Sequence, residues 1–321
     1  MKRLAGLFLT LGFLIAGLGS AYAEKGQIVY IVDTMGDPFW GYVALGIKDA
    51  VQQRGYDLAI SDSKSSAQNQ LQNAQDAVAK HVAGIVLSPT DSSTAPAVLD
   101  IAASAKIPVS FAGIGTVSGK YVTYVTSDDE QGAHGAGAEL VKALKARGWK
   151  EGDVGMIQIS QARQNGRLRT AGFEKAMQEG GYKVVAKNEM RLYTADETFK
   201  FAQDMLTAHP EMRGIFVEAA NASLGALRAI QASRRADQTL LVAFDGLPQF
   251  VDLIKQGDLV ASAMQQPYLM GFKAAESVID SLEGKPTQQT IALPVLIVTK
   301  ANMDQMLPVL EKTVFPKGSI K

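Results

Sequence analysis

The stretch "QIVYIVDTMGDPFWGYVALGIKDAVQQRGYDLAIS", residues 27–61, contains the unit from which the rest of the chain is built. Its first six residues form an apolar run with little alternation, which is typical of a strand covered on both faces. Residues 40–55 have helical spacing and stop at Gly55, and residues 56–61 predict a second strand. A strand, a helix and a strand of these lengths predict a βαβ unit with parallel strands.

The same alternation continues and then repeats. Helical patterns at 67–81 and 93–106 separate short apolar runs at 83–89, 107–113 and 121–127. Five residues of the first half recur 126 positions later: Ile28, Gly46, Ala50, Gly55 and Tyr56 correspond to Val154, Gly172, Ala176, Gly181 and Tyr182. Later pairs have slowly growing offsets, as in a duplicated fold with small loop insertions. We therefore expect an α/β fold of two similar, doubly wound parallel-sheet lobes.

The N-terminus predicts export. Lys2 and Arg3 precede an apolar run at 4–19, and Ala21-Tyr22-Ala23 offers a cleavage site for a signal peptide over residues 1–23. A membrane anchor is the alternative, but the run is shorter than the ~20 residues of a spanning helix. The chain contains no cysteine, which excludes disulfides, thiolate metal sites and a lipid-anchored N-terminus. We expect a periplasmic protein that is not lipid-anchored.

Length and charge limit the remaining possibilities. Residues 24–321 suffice for two domains of ordinary size. The full chain has 32 basic and 32 acidic residues, and loss of Lys2 and Arg3 leaves a net charge of about −2. Such a chain carries no electrostatic signal for nucleic acid. About 55 residues follow the second lobe and can return to the first, so we expect lobes of 24–127 plus 266–293 and of 128–265 plus 294–321, joined by a hinge of three crossings.

The loop after the first strand combines acids with aromatic residues. Asp33 and Asp37 can accept hydrogen bonds from a small polar molecule, and Phe39 and Trp40 can pack against a flat face of it. Both aromatics could instead belong to the hydrophobic core. In open α/β sheets, ligands bind outside the carboxyl ends of the strands. Two facing lobes would therefore share a cleft that this loop lines.

Taken together, the motifs resemble a known family. They are "DTMGDPFW" at 33–40, "GIVLSPTDSS" at 84–93, "IPVSFAG" at 107–113, "LTAHPEMRGIFVEAANASLGALRAI" at 206–230 and "LVAFDG" at 241–246. In their order and spacing the chain is similar to class I periplasmic solute-binding proteins, in particular the ribose and galactose binding group that supplies ABC importers. The resemblance covers essentially the whole mature chain and implies hinge closure over a small-molecule ligand.

The resemblance also implies a set of binding residues. In ribose-like members the first loop supplies polar contacts and two aromatics around the sugar, which here are Asp33, Asp37, Phe39 and Trp40. In the second lobe it implies an arginine, a third aromatic, an acid at a strand end and a hinge glutamine, which here are Arg169, Tyr193, Asp245 and Gln265. Arg167 is expected to be structural, and the role of Arg163 stays open. A turn-forming role before Gly246 is the alternative for Asp245.

The chain departs from the family pattern at two places. Gly113 and Ile114 stand where ribose binders place an acid and an arginine, and Ala219 and Ala220 replace an Asn–Asp pair, with Asn221 next. Gly113 and Asn221 are kept as candidate lining residues. Buried hydroxyls without partners would each cost ~1–3 kcal/mol. We expect a ligand that is smaller than a pentose, less hydroxylated, partly apolar or cationic.

Other functions have weaker signals. The three histidines, His81, His134 and His209, are dispersed and suggest no metal site, and we expect neither a cofactor nor an enzyme. The glycines of "GAHGAG", residues 132–137, indicate close helix packing. The serious alternative is a sensor that presents its ligand to a membrane sensor kinase or chemoreceptor instead of ABC permease subunits. In either role we expect a monomer.

Overall fold

The computed structural model describes residues 25–317. The predicted signal peptide and the last four residues of the chain lie outside this range. Within it, no helix has both the length and the apolar character needed to cross a bilayer. The described residues form two six-stranded sheets flanked by helices.

The elements follow one another as the βαβ pattern predicts. In chain order they are β1 Gln27–Val32, α1 Pro38–Gln53, β2 Asp57–Asp62, α2 Ala67–Ala79, β3 Gly84–Leu87, α3 Ala95–Ser104, β4 Val109–Ala112, β5 Tyr124–Ser127, α4 Asp129–Ala146, β6 Asp153–Gln158, α5 Gln164–Gly180, β7 Lys183–Glu189, α6 Ala195–Ala208, β8 Met212–Val217, α7 Ala220–Ala232, β9 Leu240–Phe244, α8 Phe250–Gln256, β10 Ala261–Met264, α9 Pro267–Leu282, β11 Thr290–Leu293, β12 Leu296–Thr299 and α10 Met303–Thr313.

The two sheets have matching strand orders. The first runs β11-β5-β4-β3-β1-β2 and the second β12-β10-β9-β8-β6-β7. In the first, β1 lies between β2 and β3, and in the second β6 lies between β7 and β8, with parallel pairing throughout these neighbours. The exception to parallel pairing among these strands is β12, which is antiparallel to β10. The prediction of two similar doubly wound lobes is confirmed.

The chain passes between the sheets three times: after β5, after β10, and between β11 and β12. The last passage divides a segment that reads as one strand in the sequence. β11 ends at Leu293 and β12 begins at Leu296 in the other sheet. Pro294 lies between them, and because proline has no N–H to donate to a ladder, it suits the break.

Two of the repeated glycines are explained by helix contacts. A Cβ on Gly46 would lie 2.0 Å from the carbonyl oxygen of Tyr268, where α1 crosses α9. A Cβ on its repeat partner Gly172 would lie 2.1 Å from the carbonyl oxygen of Glu130, where α5 crosses α4. Only glycine permits such close backbone approach. Gly46 and Gly172, which are 126 residues apart, therefore allow equivalent helix crossings in the two lobes.

Candidate functional site

A cleft lies between the lobes at the carboxyl ends of their strands. Its inner pocket has an empty volume of about 400 Å³, including its mouth. Eight of the residues singled out in the sequence line this pocket: Asp37, Phe39, Trp40, Gly113, Arg169, Tyr193, Asp245 and Gln265. The other two, Asp33 and Asn221, line an adjoining cavity that shares Asp37, Trp40 and Tyr193 with the first. The fold thus brings all ten to one cleft, although their contact with a ligand stays a prediction.

The first-lobe wall is formed by the start of α1. Asp37 caps this helix, its Oδ1 accepting a hydrogen bond from Phe39 N at 3.0 Å, and Pro38 occupies the first helical position. The rings of Phe39 and Trp40 meet edge to face, with centroids 4.9 Å apart. Trp40 is only 6% exposed and packs in the core as well as lining the pocket, whereas Phe39 is half-buried. Of the two, Phe39 has more surface free for a ligand.

Gly113 lines the pocket between Trp40 and Met270 of α9. Its φ is +83°, in the left-handed region that favours glycine. A Cβ there would lie 3.1 Å from the sulfur of Met270 and 3.3 Å from the indole of Trp40. Any side chain at position 113 would therefore press on Met270 and Trp40.

The second-lobe wall is organised around Arg169, which is 3% exposed. Its Nε donates to Asp129 Oδ1 at 2.8 Å and its Nη1 donates to the carbonyl oxygen of Glu218 at 2.7 Å. Nη1 also lies 3.6 Å from Asp245 Oδ2, and the guanidinium carbon lies 3.9 Å from the centroid of the Phe244 ring. These contacts hold the guanidinium group in place before any ligand binds.

Asp245 is fixed by its own lobe. Its φ of +69° is a left-handed conformation, which aspartate tolerates better than most residues. Its N–H donates to the carbonyl oxygen of Ala263, and its Oδ1 accepts from Gln265 Nε2 at 2.6 Å. The strand-end acid and the hinge glutamine, both predicted from the sequence, therefore interact with each other.

Burial raises the pKa of five carboxyl groups around the cleft, two of which belong to Asp33 and Asp245. Glu218 is fully buried, and burial raises its pKa to about 8 although Arg169 opposes the shift. Its oxygens accept from Ile159 N and from Thr170 Oγ1, each at 2.9 Å. Burial likewise raises the pKa of Asp129 and that of Asp37 to about 6 each. At neutral pH Glu218 is therefore mostly protonated, whereas the two aspartates are mostly ionised.

Arg163 joins the two lobes. It lies at the start of α5 in the second lobe, and its Nη2 donates to Asp33 Oδ2 at 2.6 Å in the first. Its Nε donates to the carbonyl oxygen of Thr90 at 3.0 Å, also in the first lobe. The guanidinium carbon lies 5.1 Å from the ring centroid of Tyr193. The sequence left the role of Arg163 open, and the structure places it across the cleft.

Tyr193 and Asn221 differ in how firmly they are held. Tyr193 has a φ of +57°, and its hydroxyl oxygen accepts from Ser160 N at 3.0 Å. Asn221 is half-buried in the first turn of α7. Neighbouring Ala219 and Ile159 give the inner pocket an apolar patch on the second lobe. The patch lies at Ala219, where the sequence predicts a less polar wall, and that wall stays a prediction.

Asp129, Asn165 and Glu218 were missed in the sequence. Asn165 lines the inner pocket and is 8% exposed. Glu218 and Asp129 each follow a strand closely, which is the same signal that marked Asp245. Among residues 25–317, no three His, Cys, Asp or Glu side chains cluster in a way that could hold a metal ion.

The fold and cleft define a two-lobed α/β binding protein. A family model described as a periplasmic binding protein domain matches residues 28–286, so the chain belongs to the periplasmic binding protein family. Members of this family are binding proteins and not enzymes, and the chain is a solute-binding protein of this kind.

Individual relatives agree. The ribose import binding protein RbsB of Salmonella typhimurium strain LT2 is 29% identical over 301 residues, covering 94% of this chain and 99% of that protein. A carbohydrate transporter solute-binding protein from Agrobacterium radiobacter, solved in complex with D-arabinose, superimposes with a TM-score of 0.83 at 26% identity, covering 92% of this chain and 100% of that one. A solute-binding protein from Mycobacterium smegmatis, 23% identical with a TM-score of 0.82 over 88% of this chain and 96% of its own, shares the fold.

Proposed function

We propose that the protein binds a small sugar-like solute in its cleft and delivers it to an ABC importer. The observation that carries the proposal is the pairing of two unlike walls in one pocket. Aromatic rings of the first lobe suit the C–H face of a sugar, and fixed charged groups of the second lobe suit its polar edge. Relatives named for ribose import and for carbohydrate transport support this assignment.

Binding would work through hinge closure. Residues 24–127 with 266–293, and 128–265 with 294–321, are proposed to move as two units. A solute that touches both walls gains contacts only when they approach, so it binds the closed form more tightly and shifts the equilibrium towards it. The Arg163–Asp33 ion pair would add to the closed form, since its partners belong to different units.

The preferred solute should be less hydroxylated than ribose. Gly113 and Ala219 provide no side-chain donor or acceptor, and Ile159 is apolar. A hydroxyl group buried against them would lose its water partners at a cost of ~1–3 kcal/mol. A solute with a bare or deoxygenated edge avoids this cost.

Export and partner complete the proposal. A cleavable signal peptide over residues 1–23 would deliver the protein to the periplasm, and the absence of cysteine argues against a lipid anchor. The protein would act as a monomer and dock on ABC permease subunits. Capture from membranes with solute-loaded protein distinguishes the roles, because transport predicts retention of a permease and sensing predicts retention of a kinase.

The test is native mass spectrometry of freshly purified protein, followed by denaturing release of whatever is bound. We expect wild type to carry a small molecule and Asp245→Ala to have lost it, because Asp245 lines the pocket and is linked to both Arg169 and Gln265. Asp252→Ala, on exposed surface of α8, is the matched control and should keep it. Two results would contradict the proposal. One is that wild-type protein carries no small molecule after purification and binds none of the solutes added to it. The other is that Asp245→Ala retains as much bound molecule as wild type.

A further inference from the structure

The charged groups that line the inner pocket are not all paired with each other. Asp37, Asp245, Arg163 and Arg169 line the pocket, whereas Asp33 and Asp129 lie outside its lining and pair with Arg163 and Arg169. The additional carboxyl group of Glu218 has a pKa raised by burial to about 8, so it adds little charge at neutral pH. Two carboxylates and two guanidinium groups thus line the pocket, and both guanidinium groups already have carboxylate partners outside this lining.

The acids differ in whether an arginine pairs with them. Arg163 pairs with Asp33 at 2.6 Å. Arg169 lies 2.8 Å from Asp129 and 3.6 Å from Asp245. Asp37 lines the same pocket, and within residues 25–317 it takes part in no ion pair closer than 4.0 Å. Asp37 is therefore the carboxylate from which a bound cation would gain most.

The cap role of Asp37 leaves an oxygen for a ligand. Its Oδ1 accepts from Phe39 N at 3.0 Å, which satisfies the helix start. Asparagine caps a helix about as well as aspartate. The cap thus requires a side-chain oxygen at this position but not a charge. The negative charge inside a largely buried pocket costs free energy unless a ligand compensates it.

A second acceptor without a partner belongs to a residue in the opposite wall of the pocket. Asn165 is 8% exposed and lines the inner pocket, and its Oδ1 has no hydrogen-bond partner. A buried acceptor without a donor is costly, so a ligand N–H would be favoured there. The rings of Phe39, Trp40 and Tyr193 also line the pocket, and the face of an aromatic ring attracts a cation.

Resting on the proposed function, we propose that the solute is cationic, an amino sugar or an amino polyol whose ammonium group binds beside Asp37. A neutral hydroxyl could donate to the same carboxylate, but it would leave the negative charge of Asp37 uncompensated. An ammonium group supplies three N–H donors and a positive charge together. It would satisfy Asp37 and Asn165 from the two lobes at once and so favour closure.

Calorimetric titration of matched ligand pairs tests this inference. The protein is stripped of bound solute by unfolding and refolding, then titrated with three amines that carry fewer hydroxyl groups than ribose, namely fucosamine, an aminotetritol and 2-amino-1,3-propanediol, and with their neutral hydroxyl counterparts. In at least one pair we expect the amine to bind at least about tenfold more tightly than its neutral counterpart. The reason is that attraction between opposite charges is stronger in a site from which water is excluded. N-acetylation of that amine, which removes the charge, should abolish the preference.

Two variants locate the effect. Asp37→Asn keeps the helix cap and removes the charge, so the ratio of amine to neutral affinity should fall below about threefold. Asp128→Asn is the matched control: Asp128 caps α4 by accepting from Gln131 N and does not line the inner pocket, so the preference should remain. Melting temperatures near that of wild type would show that both variants fold.

Two results overturn the inference. One is that no amine binds more tightly than its neutral partner; the other is that the preference survives Asp37→Asn unchanged. If a neutral sugar binds as tightly as its amine, the proposed ammonium site is wrong, but the proposal that the cleft binds a solute still holds. Failure of the proposed function is seen separately, as wild-type protein that carries and takes up no small molecule in native mass spectrometry.

Discussion

The two walls of the cleft are built in different ways. The second-lobe wall is held by polar contacts, with Arg169 bonded to Asp129 and to the backbone of Glu218, and Asp245 bonded to Gln265. The first-lobe wall is held by a helix cap and by packing of aromatic rings. The second wall is therefore rigid because its charges are already paired, whereas the first keeps an acid and a ring face free.

The difference suggests a division of roles. Groups already bonded within one lobe set the shape of the pocket and gain little from a ligand. Groups with free surface or free oxygens, such as Phe39 and Asp37, are the ones that a ligand can satisfy. Substitutions in the two walls should then separate into effects on stability and effects on affinity.

Arg169→Met should have the largest effect. It leaves Asp129 buried without its partner, and loss of one member of a buried pair costs ~3–5 kcal/mol of unfolding free energy. Binding should be lost as well. Arg228→Met is the control, because its ion pair with Asp196 is exposed and contributes ~0–1 kcal/mol. Denaturant unfolding measures the stability of both variants. Equal stabilities of Arg169→Met and Arg228→Met would show that the Arg169–Asp129 pair does not hold the second wall.

Glu218→Gln should change the pH dependence of stability. A carboxyl group whose pKa is raised on folding holds an extra proton in the folded state, so its stabilising contribution is lost as pH rises towards the folded pKa. The folded pKa of Glu218 is about 8, while those of Asp37 and Asp129 are about 6. Between about pH 6.5 and about pH 8, wild type should therefore lose on the order of 2 kcal/mol that Glu218→Gln keeps.

The measurement is chemical denaturation at several pH values across that window. Glu211→Gln is the matched control, because its carboxylate is 73% exposed and should leave the slope as in wild type. A wild-type protein with constant stability over the window, or a Glu218→Gln variant with the wild-type slope, would show that Glu218 is ionised in the folded protein.

Phe39→Ala should have the smallest effect on stability and a clear one on affinity. The ring is half-buried and faces the pocket, so we expect a loss of about 1–2 kcal/mol in binding free energy for the co-purified solute. Phe199→Ala, a half-buried ring on α6 away from the pocket, should leave affinity unchanged. A larger loss of stability than of affinity at position 39 would assign Phe39 to the core.

Local pattern was enough to predict much of this molecule. The βαβ units follow from apolar runs and helical spacing in segments of 10–20 residues, and the repeat of Gly46 as Gly172 predicted the second lobe. Both glycines serve the same backbone crossing. Patterns of this kind depend on neighbours in the chain, which the sequence displays directly.

The polar contacts of the cleft were harder to predict. Glu218 follows the apolar run 214–217, so the acid-after-strand signal that marked Asp245 was present there too. Arg163 had no such signal. Its partner Asp33 lies 130 positions away in the other lobe, and the pairing depends on how the lobes meet. Contacts of this second kind require the tertiary structure.

The central claim is that a small solute closes the two lobes over the cleft. Because the chain has no cysteine, spin labels can be placed at Val117→Cys in the first lobe and Asp196→Cys in the second, both on exposed surface. Pulsed electron resonance then measures the distance between the labels. In protein stripped of solute, we expect a broad distribution of long distances between the labels. Returning the co-purified solute should replace it with a single shorter distance. The same distribution with and without that solute would contradict it.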